Sequence, residues 1–114
     1  MSAQLPEIEL LLVDDGSSDN SAQICRSYAG RYPWIRYFYQ ENAGPSAARN
    51  RGLQAATGDY VAFHDSDDRV DMDAFSKTVS LLRRYEADIW ASDFCRVADN
   101  GAVLDRVYQI PDTP

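Results

Sequence analysis

Cysteine, lysine, histidine and long apolar runs are all scarce in this chain of 114 residues, and each scarcity narrows what the protein can be. The two cysteines, Cys25 and Cys95, lie far apart with no C-x-x-C spacing and nothing resembling a secretory signal ahead of them, so reduced, buried thiols are expected. The only lysine is Lys77, the only histidine is His64, and no run of basic residues occurs anywhere. With 18 acidic against 11 basic residues the formal charge is -7, which argues against a nucleic-acid partner held through phosphate contacts. The longest apolar stretch, Ile8 to Val13, is far short of the roughly 20 residues that span a bilayer. What remains is an ordinary globular composition, 45% hydrophobic and 25% charged, with room for one domain and a modest core.

Ile8 to Val13 is a short apolar run stopped by Asp14-Asp15-Gly16, which suits a strand buried on both faces. Ser17, Ser18 and Asp19 can cap a following helix in which Ile24, Cys25, Tyr28 and Ala29 share one stripe, ending near Gly30. Trp34 to Tyr39 is aromatic and β-branched, hence a second strand. Asn42-Ala43-Gly44-Pro45 then opens a helix over about 46–56. Thr57-Gly58-Asp59 breaks that helix before Tyr60 to His64, a third predicted strand that empties into Asp65-Ser66-Asp67-Asp68. Phe75, Val79, Leu81 and Leu82 mark an amphipathic helix from Met72 to Tyr85, capped by Asp71. Residues 88–97 and 103–110 read as strands around the turn signal Asp99-Asn100-Gly101.

Strand and helix alternating in this order predict an α/β domain with a mostly parallel sheet between helical layers, followed by a β-hairpin. Ligands bind such sheets outside the carboxyl ends of the strands, so both acidic clusters, Asp14-Asp15 and Asp65 to Asp68, fall on one rim. Carboxylates gathered at one rim repel unless donors, solvent or a cation offset their charge, and a hard divalent ion with oxygen ligands does so while also accepting phosphate oxygens. The same acids equally fit a helix-capping, solvated loop, and Asp14-Asp15 equally fits an Asx turn. An EF-hand is excluded because Arg69, Val70 and Ser76 occupy the places of a ligand, the turn glycine and the bidentate acid.

Three segments occur in order: Leu11-Leu12-Val13-Asp14-Asp15-Gly16-Ser17-Ser18-Asp19, Glu41 to Gly52 with its Ala48-Arg49-Asn50 core, and Thr57 to Asp68. Together they resemble the inverting family 2 glycosyltransferases over about Leu5 to Val97. The resemblance implies a GT-A, Rossmann-like three-layer fold, of which residues 1–114 would form a single partial domain, shortened at both ends. It implies that Asp15 with Asp14 binds the uracil of a UDP-sugar. It also implies that Arg49 reaches the base or its phosphates, and that Asp65-Ser66-Asp67 is the D-x-D signature, with Asp65 and Ser66 near the donor. Asp67, with Asp65, would then hold Mn²⁺ or Mg²⁺ at the diphosphate. The reaction implied is attack of an acceptor hydroxyl, on a glycan, a lipid-linked sugar or another acceptor, at the anomeric carbon with inversion.

Departures from the family pattern carry expectations of their own. No segment matches the family's general base, so this chain is expected to be inactive alone. A missing first strand would leave a sheet edge that a second copy could cover. A parent enzyme working on cytoplasmic UDP-sugars would be cytoplasmic or peripheral to the inner face of a membrane. His64 is expected to be a packed or rim residue, and Arg51, Arg83 and Arg84 surface or ion-pair residues. Trp34, Tyr37, Phe38 and Tyr39 are expected to pack the core or its edge. Two other classes stay open: a phospho-receiver domain using Asp14, Asp15 and Asp65, although no lysine stands at a strand end, and a non-catalytic nucleotide-binding or interaction fragment.

Overall fold

The computed structural model describes residues 8–86, 88, 94–100 and 102–107, which divide into two compact units at Arg69/Val70. In the first unit, strand β1 (Leu10–Asp15) is followed by helix α1 (Ser21–Arg31), strand β2 (Ile35–Gln40) and helix α2 (Pro45–Ala55). β1 and β2 pair in parallel, with Leu12 opposite Tyr37, Asp14 opposite Tyr39 and Asp15 opposite Gln40. This is the β-α-β arrangement that the alternation of apolar runs and turn signals predicts.

Side-chain alternation shows how the layers stack. Leu10, Leu12 and Ile35 line one open apolar groove with Ile24, Cys25 and Tyr28 of α1, of which Ile24 and Tyr28 stay exposed. Gly52 of α2 instead lies close to Cγ2 of Val13, at 3.7 Å from where its own Cβ would stand. Successive residues of a strand point to opposite faces, so α1 and α2 cover opposite sides of the sheet. The expected stripe on α1 is therefore real, and it places Cys25 as a half-buried free thiol.

The core is shallower than the apolar run predicts. Ile35, at 3% exposure, is the buried hydrophobic residue among those described, and β1 is half-buried along most of its length. Two paired strands with one helix per face cannot bury a strand completely, because its outer edge and the flanks of the helices stay open.

The third predicted strand is corrected for the same reason. Tyr60 to His64 forms no strand, and Tyr60, Val61 and Phe63 are exposed. Aromatic and β-branched residues favour a pleated, half-buried surface, but they make a strand only when a neighbour supplies the ladder. Among the described residues no strand pairs with this segment.

The helix ends show which local signals held. Pro45 opens α2 as expected. Asp71 caps α3 (Met72–Tyr85) by accepting from the Asp73 and Ala74 amides at 3.0 and 3.2 Å. α1 differs: its cap is Asn20, which makes no side-chain capping bond, while Asp19 Oδ1 accepts from the Ser21 amide at 2.9 Å. In the second unit, β3 (Phe94–Val97) and β4 (Val103–Val107) form the expected antiparallel hairpin, with an irregularity at Arg96/Val97. Asn100 closes its turn by accepting from the Ala102 amide at 2.9 Å. The outer parts of both predicted strands, 89–93 and 108–110, and Gly101 lie outside the described residues, as does the side chain of Cys95.

Two glycines in the first unit separate backbone need from helix tolerance. Gly16 has φ +77°, and a Cβ there would stand 2.8 Å from the Asn42 amide nitrogen, whereas a Cβ on Gly30 would meet nothing within 4 Å. Gly16→Ala should therefore destabilise the chain by about 1–3 kcal/mol. Gly30→Ala, inside a helix, should stabilise it by about 0.5–1 kcal/mol. Denaturant unfolding of the two variants beside the parent chain reads both signs.

Candidate functional site

The site is built outward from the carboxyl end of β1. Asp14, 9% exposed, is the buried acid among the described residues, and its carboxylate accepts three hydrogen bonds. Oδ1 accepts from the Ser17 amide at 2.8 Å, and Oδ2 accepts from both the Ser17 and Tyr37 hydroxyls at 2.7 Å. The Ser17 and Tyr37 donors, with the positive charge of Arg26 nearby, hold the Asp14 carboxyl below the usual carboxylate range. Burial and the hydrogen bond to Asp14 in turn push the Tyr37 phenol up to about 12, so it remains a donor at any physiological pH.

Asp15 turns the other way and reaches the loop before α2. Its Oδ1 accepts from Gln40 Nε2 and from the Ala43 amide, both at 2.8 Å, and its Oδ2 accepts from the Gly44 amide at 3.0 Å. Gly44 is the N-cap position of α2 and has no side chain to satisfy the free amides there, so Asp15 takes on that task across 29 residues of sequence. A carboxylate at a helix N-terminus is also favoured by the helix dipole. The Gln40 bond first, then the Ala43 and Gly44 amides, lower the Asp15 carboxyl from its ordinary value. The pair is thus both an Asx-type turn and a shaped strand end.

A second clasp lies nearer the start of β1. Glu9 accepts from Arg36 Nη1 at 2.8 Å and from the Thr57 amide and hydroxyl at 3.0 Å, while Arg36 also donates to the Ala55 carbonyl at 3.0 Å. These bonds tie the carboxyl end of α2 to β1 and β2. Phe38 lies between two guanidinium groups, those of Arg36 at 5.1 Å and Arg51 at 5.0 Å. Arg51 is exposed, a surface residue as expected, with its guanidinium over the Phe38 ring. Trp34, Tyr37 and Phe38 are half-buried, whereas Tyr39 is exposed.

With both of its ends fixed, α2 carries Arg49 to the acidic loop, where Arg49 Nη2 lies 3.6 Å from Asp65 Oδ1. The loop turns back on itself through a bond from the Asp68 amide to the Asp65 carbonyl at 3.0 Å. That turn brings one carboxylate oxygen each of Asp65, Asp67 and Asp68 within 4.8 Å of one another, all exposed. Adjacent oxygens around an octahedral Mg²⁺ ion stand about 3 Å apart at ligand distances of 2.0–2.1 Å, so the chemistry of this donor set suits one hard divalent ion once the exposed side chains draw together. Ser66 and His64 are exposed in the same loop, so His64 stands at the surface and is not packed.

The structure thus joins Arg49 to Asp65, gathers Asp65, Asp67 and Asp68, and connects Asp15 to them through α2. Asp68 was expected only as part of an acidic cluster, and its carboxylate oxygen lies in the same close group as those of Asp65 and Asp67. Tyr37, Gln40 and Ser17 were not singled out for the site. The register of β2 against β1 brings in Tyr37 and Gln40, whereas the Ser17 bonds to Asp14 belong to a local turn.

Comparison with known proteins gives the family of the chain. The profile described as Glycosyl transferase family 2 matches residues 2–110, and the chain belongs to that family. Its fold is therefore the GT-A, Rossmann-like α/β class, in keeping with the parallel β-α-β unit described above. The chain is 43% identical over 82 residues to the Uncharacterized glycosyltransferase YibD of Escherichia coli (strain K12), covering 72% of this chain and 24% of that protein. It is 42% identical over 87 residues to Glycosyltransferase GlyA of Streptococcus pneumoniae, covering 76% and 12%. It is also 39% identical over 90 residues to the Cholesterol galactosyltransferase of Borreliella burgdorferi, covering 79% and 25%. The chain thus spans a quarter or less of the length of these three relatives.

The lowered carboxyls of Asp14, Asp15 and Glu9 set the sign of a pH dependence. A carboxyl whose folded-state value lies below its unfolded value of about 4 stabilises the fold above that pH, and the contribution fades as pH falls through the lower folded value. Asp14→Asn should accordingly be less stable than the parent chain at pH 7, and the gap should narrow below about pH 4. Urea unfolding at pH 7, 5, 4 and 3 measures it.

Proposed function

We propose that this chain is the donor-nucleotide and metal-binding part of an inverting glycosyltransferase that uses a UDP-sugar. The observation that carries the reading is the convergence of Asp65, Asp67 and Asp68 beside Arg49, on a loop that α2 links to the Asp14-Asp15 strand end. A carboxylate offers about four acceptor positions, and three are occupied on each of Asp14 and Asp15. One position on each remains for an N–H of a uracil ring. Asp15, less buried than Asp14, presents the more open one.

In this reading Asp67 with Asp65 and Asp68 holds Mn²⁺ or Mg²⁺, and Ser66 lies beside the donor. The ion supplies charge stabilisation for the departing diphosphate when an acceptor hydroxyl of a glycan or lipid-linked sugar attacks the anomeric carbon. Arg49 adds a fixed positive charge next to that position and restrains Asp65 before the donor arrives. The general base belongs to the acceptor side and is not assigned to any residue here. A UDP-sugar donor fits a site of action in the cytoplasm or at the inner face of a membrane. Family membership favours this reading over a phospho-receiver domain.

Calorimetric titration of UDP into the chain with and without Mn²⁺, repeated on Asp67→Ala, tests the proposal. Binding should be stronger with Mn²⁺, and the metal-dependent part should fall at least about tenfold in the variant. UDP binding that is indifferent both to Mn²⁺ and to Asp67→Ala would remove the metal site from the reading.

A further inference from the structure

The donors that hold Asp14 are of two kinds. The Ser17 amide and hydroxyl lie in the same turn as Asp14 and move with it, whereas the Tyr37 hydroxyl comes from the neighbouring strand. Asp14 lies directly opposite Tyr39, and Tyr37 precedes Tyr39 by two residues on the same face of β2, so Tyr37 reaches the carboxylate diagonally. Arg26 of α1 stands 5.4 Å over the Tyr37 ring. Tyr39, though directly opposite, is 52% exposed and takes no part in this network.

We propose that Tyr37 is a positioning residue of the donor site: its hydroxyl fixes the Asp14 carboxylate against β2 and thereby sets the Asp14-Asp15-Gly16-Ser17 turn that presents Asp15 to the nucleotide. This rests on the reading of that strand end as the nucleotide site. Asp15 has a cross-strand donor of its own, Gln40 at 2.8 Å, so β2 supplies one donor to each acid of the pair. The phenol keeps its proton far above neutrality, which makes it a donor that does not switch in the working range of an enzyme. The charged and titratable groups facing Asp14 are Asp15 and Asp19 of the turn, Tyr37 of β2, and Arg26 and Cys25 of α1. Of these, Tyr37 and Arg26 favour the carboxylate form.

Tyr37→Phe removes the hydroxyl and keeps the ring, so the Arg26 contact and the strand packing persist. Two measurements follow: UDP affinity with Mn²⁺ across pH 3.5 to 8, and the carboxyl ¹³C titration of Asp14 without ligand. In Tyr37→Phe, UDP affinity at pH 7 should fall roughly five- to tenfold, and the acid limb of the affinity profile should move to higher pH together with the Asp14 titration. Ser17→Ala should move the same limb in the same direction, because it removes another donor to the same oxygen. A merely structural tyrosine would lower thermal stability and leave both pH profiles where they are, and that result would overturn the proposal. If the parent chain does not bind UDP, the donor-site reading fails, and the positioning claim falls with it. If UDP binds but the Asp14 titration is the same in Tyr37→Phe and the parent, the positioning claim alone fails.

Discussion

The bonds that Asp15 makes across the chain are the constraint on which the rest of the first unit depends. Its carboxylate belongs to the end of β1, yet three of its acceptor positions are filled by Gln40 of β2 and by the amides of Ala43 and Gly44 at the start of α2. One side chain therefore fixes the end of a strand, the exit from its neighbour and the entry of a helix. Gly16 must follow immediately with φ +77° because the chain passes so close to Asn42 that no side chain fits between them. At the other end of α2, Glu9 and Arg36 bind Thr57 and the Ala55 carbonyl. A helix held at both ends has a fixed axial position, and that position decides where Arg49 meets Asp65.

Such a scaffold relies on polar bonds to an unusual degree. Ile35 is the buried apolar side chain among the described residues, so hydrophobic burial alone gives this unit little rigidity. Hydrogen bonds to ionised acceptors are roughly twice as strong as neutral ones, and here they are concentrated at the strand end where placement matters. The same choice makes the unit sensitive to acid, since protonating Asp14, Asp15 or Glu9 removes the stronger form of each bond.

Much of this was legible from sequence where the signal is local. Pro45, the cap at Asp71, the stripe of Ile24, Cys25 and Tyr28, and the hairpin signal at Asp99-Asn100 each describe a few neighbouring residues, and each appears in the structure within a residue or two of its expected place. Tyr60 to His64 was misread because strand propensity says what a segment tolerates, while a strand also needs a hydrogen-bonding neighbour. The site divides in the same way. Two acids after an apolar run, and four polar residues after another, are visible as text. That Tyr37 and Gln40 bind Asp14 and Asp15 follows only from parallel register, which pairs Leu12 with Tyr37 and Asp15 with Gln40.

The two acidic clusters look alike in sequence and differ in electrostatic condition. Asp14 and Asp15 sit among protein donors that already offset their charge, so they need no cation. Asp65, Asp67 and Asp68 lie exposed with three carboxylate oxygens within 4.8 Å of one another, and among the described residues the cation facing them is Arg49, at 3.6 Å from one of the three. A single guanidinium at that distance and exposure offsets little of three negative charges. A divalent ion would relieve the remaining repulsion and leave coordination positions for phosphate oxygens. Under the proposed donor-site reading, an acidic protein would bind an anionic donor without a basic patch, because the cluster neutralised by its own fold would direct the base and the other would hold an ion shared with the diphosphate.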